Sequence, residues 1–245
     1  MLQVILTETQ IQQGEDVFRL AIESTEQGDF ATAETYWTKL IEKFPTNPAV
    51  WSNRGNARVS QNKLAEALED YDKSVELAPE APDPYLNRGV AYEGLGRYEE
   101  AIADYEKVLE LDPQDAMAYN NIGNAYAGME NWQQAYDYYH EASQIAPNFA
   151  FARANESLVL YQLGKKDQAL KQMRNIVRKY PMFPDMRAAL TAVLWESGKQ
   201  GEAESNWVAT IGMDSRYKDV NWLKDVRHWP PAMILALDSF LTFDN

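Results

Sequence analysis

The chain has 245 residues and no cysteine, which excludes a disulfide frame and thiolate chemistry. Its formal net charge of −14 repels a nucleic-acid backbone and favours encounter with basic partners. No stretch approaches the roughly 18 consecutive apolar residues of a membrane span, and no secretory leader pattern is seen, so a soluble chain in a reducing compartment is expected.

Residues 1–13, MLQVILTETQIQQ, form an N-terminal extension whose apolar run, Leu2, Val4, Ile5 and Leu6, is expected to lengthen the first helix or to cover the first helix pair, the alternative being a partner-binding segment. From residue 14 on, segments with apolar residues at helical spacing come in pairs separated by turn residues. The first pair, residues 14–47, carries Leu20, Phe30, Ala33 and Trp37 and turns at Gln27, Gly28 and Asp29. The second and third, 48–81 and 82–115, open on Pro48 and Pro82, as helix starts do. In the third, Tyr85, Gly89 and Tyr92 make one stripe and Ala101, Tyr105 and Val108 another, with Gly94 and Gly96 between them as the helix stop.

The fourth pair, 116–149, repeats the pattern, and Gly55, Gly89 and Gly123 allow close helix approach in pairs two to four, which should be the stiffest. Pairs five and six, 150–183 and 184–217, drift. Arg153 and Arg187 stand where Trp51, Tyr85 and Tyr119 stood, and Lys166 and Gln200 replace Tyr98 and Trp132, so the array is expected to loosen toward its end. Residues 218–245 leave the pattern. Asp219 caps a short helix with Trp222, Leu223 and Val226; Pro230-Pro231 ends it, and a last helix carries Met233, Ile234, Leu237, Phe240 and Leu241 on one face, expected to cap the sixth pair.

The period is 34 residues. Stepping by it from Ala101 reaches Ala33, Ala67, Ala135, Ala169 and Ala203; from Pro113 it reaches Pro45, Pro79, Pro147 and Pro181, with Ser215 alone breaking the series. From Tyr105 it reaches Trp37, Tyr71, Tyr139, Met173 and Trp207. This chain resembles the tetratricopeptide repeat family from about Gly14 to Ser215, without insertion. The resemblance implies an all-α, right-handed α-α superhelix of six helix-turn-helix repeats plus C-terminal capping helices, since each pair covers its outer faces only by stacking on its neighbours. The tail, around WLKDVRHWPPAM, is similar to that of repeat proteins of cyanobacteria and plastids, which implies work near thylakoid membranes in assembly of photosynthetic complexes.

Catalytic patterns are missing. His140 and His228 are far apart with no nucleophile motif beside them, Gly94-Leu95-Gly96 has Glu99 at the third glycine position and no preceding strand, and no phosphate loop occurs. No enzyme activity, cofactor or metal site is expected.

Binding is better marked. In the family the first helix of each repeat lines the concave groove, and there Asn53, Asn87, Asn121 and Asn155 recur at the sixth place, Asn56 and Asn124 at the ninth, with Asn120 adjoining. Amides both donate and accept, so such a ladder can hold a peptide by its main chain. Glu15, Glu26, Asp83, Glu93 and Asp185 make the surroundings acidic, and Phe18, Val90, Met117, Phe151, Leu158, Tyr161 and Trp195 supply apolar surface. Family members that clamp the C-terminal carboxylate of heat-shock chaperones place lysines and an arginine here; Phe18 and Asp83 stand there instead, so no such clamp is expected, Arg19 notwithstanding.

Residues 1–147 carry 26 acidic and 10 basic side chains, residues 148–245 carry 11 and 13. A basic outer face on the fifth repeat, Lys171, Arg174 and Arg178 flanked by Lys165, Lys166 and Lys179, suits an acidic protein or membrane headgroups if it is more than a solvated face. The expectation is a non-catalytic scaffold that binds a basic or apolar peptide segment of a partner protein in the groove, with peripheral membrane contact and oligomeric state left open. The alternative is a structural self-assembler that docks its last helix on a neighbour.

Overall fold

A computed structural model describes residues 8–243, with side chains from residue 14; the run Leu2, Val4, Ile5 and Leu6 lies outside the described residues. The chain divides into two compact units, Met1–Pro113 and Gln114–Asn245. Among the described residues all regular structure is helical.

The first unit holds α1 (Glu8–Glu26), α2 (Phe30–Lys43), α3 (Pro48–Val59), α4 (Leu64–Leu77), α5 (Pro82–Gly94) and α6 (Tyr98–Leu111), each packed on the next. Asp29 starts α2 by accepting from the Thr32 N–H, and Asn47 starts α3 by accepting from Ala49. Within each pair the two helices meet where one has almost no side chain. A methyl group added at Gly55 would fall 2.6 Å from the Tyr71 ring, and one at Gly89 would fall 2.5 Å from Tyr105. Ala33, Ala67 and Ala101 are fully buried at the same contact.

Ion pairs cross between repeats inside this unit. Buried Asp70 takes both Arg54 and Arg58, and Arg58, Gln61 and Lys63 converge on Glu34. Burial pushes the Glu34 carboxyl up, but these donors outweigh it and hold it at about 2. Arg88 grips Asp104 with two nitrogens and reaches Asp72 with a third. Paired this way the buried carboxylates are compensated, and removal of one partner would leave an unpaired buried charge.

The second unit holds α7 (Ala116–Gly128), α8 (Trp132–Ile145), α9 (Ala150–Gln162), α10 (Lys166–Lys179), α11 (Pro184–Glu196) and α12 (Gln200–Met213). A 3-10 turn (Ser215–Lys218), α13 (Val220–Asp225) and α14 (Pro231–Phe243) follow. The arginines that replace the aromatics here do not break the contact between repeats. Arg187 donates to the Pro181 carbonyl at 2.8 Å and Arg153 to that of Pro147 at 3.4 Å, the bond that Trp51 makes to Pro45 and Tyr85 to Pro79 in the first unit. The arginines keep the contact that the aromatics made. Repeats five and six also share one large apolar cluster with the tail, so α9 and α11 are buried on more than one face.

Asp185 locks the tail. It is buried at the start of α11 and accepts from Tyr217 Oη at 2.9 Å, Trp229 Nε1 at 3.1 Å and Arg227 at 3.0 Å. Asp219 caps α13 through the Asn221 and Trp222 N–H groups. Beyond the lock, α14 lies on α11 and extends onto α9, its Ala232 N–H donating to Gln162 Oε1 at 2.8 Å. It covers the first helices of two repeats, not the end of one.

The helix turns carry the period as well, because Gly28, Asn62, Gly96, Glu130, Gly164 and Gly198 all have positive φ at steps of 34. Glu130, at φ 58°, is the misfit, since a side chain there crowds the following carbonyl. Glu130→Gly is expected to stabilise the chain by about 1 kcal/mol, whereas Gly89→Ala, which drives a methyl into Tyr105, should cost roughly 1–3 kcal/mol. Urea unfolding midpoints at unchanged slope check both signs.

Candidate functional site

On the first unit, the first helices expose Phe18 and Val90, 48% and 43% accessible, with Asp83 and Asn56, the Phe18 ring lying edge-on to Trp37 of α2. Asn53 and Asn87 lie half-buried on the same helices, and their amides have no partner among the described residues. Asn56 is different: its Oδ1 accepts from Tyr71 Oη at 2.7 Å. In the third repeat Val90 has replaced that asparagine, and Tyr105 Oη turns to Glu93 Oε2 at 3.1 Å, one turn further along α5. Burial pushes the Glu93 carboxyl up to about 7, against the Tyr105 bond.

The cations of this unit are largely spent internally. Arg19, Arg54, Arg58, Lys63, Arg88 and Arg97 all sit in ion pairs, so the acidic excess toward a partner is not offset from within.

On the second unit the predicted asparagines are brought together but bonded to one another. Tyr139 Oη donates to Asn124 Oδ1 at 2.8 Å, Asn155 Nδ2 donates to Asn120 Oδ1 at 3.1 Å, and Asn120 Nδ2 reaches Asn121 Oδ1 at 3.3 Å. Asn120, expected to line the groove, is buried in this network and unavailable to a ligand. Met117 and Phe151 are exposed as expected.

Leu158 and Tyr161, expected as groove surface, are corrected too. They are 4% and 3% exposed, in one apolar cluster with Met233, Leu237 and Phe240 of α14. Trp195 packs edge-on against Phe240 and Phe243. Asp185, expected among the groove acids, is the tail's anchor. Sequence reasoning missed that clamp, although Tyr217, Arg227 and Trp229 are three donors close in sequence that need a common acceptor.

The basic outer face forms on α10. Lys171, Arg174 and Arg178 line a shallow cavity of about 360 Å³ with Asp167, Leu170 and Asn175. Arg174 pairs with Glu202, Arg178 donates to Asn175 and Lys166 pairs with Glu196, so the face is less cationic than its sequence indicates. His140 Nδ1 lies 2.9 Å from buried Glu156, which also accepts from Gln172. Among the described residues no group of His, Asp and Glu side chains is arranged to hold a metal, and no helix is long and apolar enough to cross a membrane.

Sequence profiles described as TPR repeat match residues 55–96 and 94–130, and profiles described as tetratricopeptide repeat match 116–149, 18–47 and 157–181, together more than half of the chain. The chain belongs to the tetratricopeptide repeat family. Its fold class is therefore the all-α repeat superhelix of that family, a fold of interaction scaffolds. No curated protein matches it by sequence.

Among solved structures it is similar to a tetratricopeptide repeat protein from Parabacteroides merdae, over 95% of this chain and 93% of that one, at 18% identity and a TM-score of 0.70. It is similar to a thermophilic TPR protein of Thermus thermophilus over 74% of this chain and 99% of that one, at 19% identity and a TM-score of 0.62. A third, YrrB, a TPR protein with an unusual peptide-binding site, aligns over 83% of this chain and 97% of that one, at 23% identity and a TM-score of 0.56. At these identities the likeness is one of fold.

The Glu93 carboxyl gives the first unit a pH signature. Its folded value near 7 stands above the ordinary 4.5, so the stability it contributes is complete below 4.5 and lost as pH rises through 7. Glu93→Gln should remove that loss and gain on the order of 1–3 kcal/mol over the parent chain between about pH 5 and about pH 8. Urea midpoints at the two pH values measure it; an equal midpoint shift at both would show that the carboxyl is not held protonated.

Proposed function

We propose that this chain is a non-catalytic scaffold that holds an extended segment of a partner protein on the first-helix face of its repeats. The observation that carries this reading is the pair of partnerless amides, Asn53 and Asn87, which recur at the same place on successive first helices beside exposed Phe18 and Val90. An amide that serves no internal bond is free to pair with a peptide's main chain, giving hold without demanding particular side chains. Specificity then comes from the surroundings. Exposed Asp83 favours lysine or arginine, and Phe18 and Val90 favour an apolar side chain. YrrB, similar in fold, is a TPR protein with a peptide-binding site, which agrees with this use of the scaffold.

Asn121 presents its side-chain N–H groups in the second unit, while its Oδ1 and those of Asn120 and Asn124 are engaged internally. The working ladder is thus narrower than the series of asparagines. The tail's resemblance to repeat proteins of cyanobacteria and plastids supports placing such a scaffold in assembly of a photosynthetic complex, in the cytoplasm or plastid stroma, at the thylakoid surface.

A display library of short peptides, followed by fluorescence anisotropy of the selected sequences, tests the site. Selected peptides are expected to carry lysine or arginine beside an apolar residue. The double variant Asn53→Ala, Asn87→Ala should bind them roughly tenfold more weakly, at about 0.5–1.5 kcal/mol per lost bond. Lys171→Ala with Arg178→Ala should bind them as the parent does. The reverse pattern would move the site to the outer face of α10.

A further inference from the structure

The tail is held by two unlike devices. Residues Tyr217, Arg227 and Trp229 are bolted to buried Asp185 by hydrogen bonds and an ion pair. α14 is seated on the repeats mainly by apolar contact, with the neutral bond from Ala232 to Gln162 at its start. Among the described residues no ion pair joins α14 to the repeats. The bolt ends at Trp229, and the chain enters α14 through Pro230 and Pro231, the Pro230 carbonyl accepting from the first turn of α14.

What α14 covers is the same surface that stays open elsewhere. The place that holds Leu158 holds exposed Asn56 and Val90 in the second and third repeats, and the place of Tyr161 holds part-exposed Val59 and Glu93. In the fifth repeat both are apolar and closed, and Trp195 and Trp207 of the sixth repeat take the Phe240 ring. A surface left open in the second and third repeats is here covered by a helix with an aromatic anchor.

We propose that α14 is a tethered occupant of a second binding surface, formed by Leu158, Tyr161, Gln162, Trp195 and Trp207, and that its natural competitor is an amphipathic helix of a partner protein. That helix would present aliphatic and aromatic side chains at the spacing of Met233, Leu237 and Phe240. It binds as α14 swings out on Pro230-Pro231, so affinity is set by the difference between the two helices. This rests on the reading that first-helix faces receive partner segments, but concerns a different surface from that of Asn53 and Asn87.

Because the chain has no cysteine, a single introduced thiol reports on opening. Ala236→Cys places it on the inner face of α14, and Ala192→Cys places a control in α11; both alanines are buried. The full-length Ala236→Cys chain is expected to react with a thiol reagent at least a hundredfold faster than the control. Its rate should rise further, to saturation, as a synthetic peptide of residues 230–243 is added. Equal rates at the two positions, or no response to the peptide, would overturn the proposal, because α14 would then open only with the whole unit.

A reaction rate that falls as the protein is concentrated, with elution as a dimer, would make a second copy the occupant and overturn the assignment to a partner helix. Should either substitution disturb folding, amide exchange on the unaltered chain decides it: α14 amides must exchange at least a hundredfold faster than those of α11. Failure of either measurement leaves the peptide selection at Asn53 and Asn87 untouched, so the two readings are tested separately.

Discussion

The repeats depend on a tyrosine ring laid against a helix that has no side chain at the point of contact. Gly55, Gly89 and Gly123 give way to Tyr71, Tyr105 and Tyr139, with less than 3 Å left for any added methyl. Dense packing of this kind allows little adjustment, and so the alanines beside it recur without exception. The ring satisfies the core, but it carries a hydroxyl. That hydroxyl reaches the first-helix face and needs an acceptor there.

Much of the groove chemistry comes from that need. Asn56 and Asn124 accept from Tyr71 and Tyr139, and where Val90 has displaced the asparagine, Glu93 accepts from Tyr105. Where the second helix has no tyrosine, as at Met173, the ninth place of the repeat becomes Leu158 and the glycine place becomes Ser157. The ring, the glycine and the acceptor change together. Asparagine at the ninth place therefore serves the core tyrosine, and of the sixth-place asparagines Asn53 and Asn87 have no partner among the described residues, whereas Asn121 and Asn155 are bonded to Asn120.

The period, the helix pairs and the buried alanines were legible in the sequence because they are local and repeated: a residue's place in the unit predicts its neighbour. The tail was legible only as two helices with an apolar face. Nothing in an amphipathic pattern says which surface it meets, and α14 meets the first helices of repeats five and six. The hint lay in the repeats, not in the tail, since Leu158, Tyr161 and Trp195 are apolar at places where earlier repeats carry polar or smaller groups. Asp185 misled for a related reason. At its place in the repeat an acid reads as groove charge, as Asp83 does, until Tyr217, Arg227 and Trp229 are folded back onto it. The arginines at 153 and 187 looked like decay of the pattern and are substitutions within it, because a guanidinium reaches the same proline carbonyl that an indole or phenol does.

The two units thus spend their side chains differently. In the first, arginines are drawn inward to Asp70 and Asp104 within their own repeats, while Arg58 to Glu34 and Arg88 to Asp72 join one repeat to the next. An acidic surface of this kind would attract a basic segment, and the attraction would weaken with salt because its charges are exposed. In the second, the same structural place as Arg54 and Arg88 holds Glu156, paired with His140 and Gln172, and the first helices turn apolar enough to need a cover. An uncovered surface of that kind would attract any greasy chain. A tethered helix without charged anchoring solves this, because it shields the surface from weak ligands while yielding to one that packs better. The selectivity of such a surface is then set as much by the fit of α14 as by the partner's own contacts.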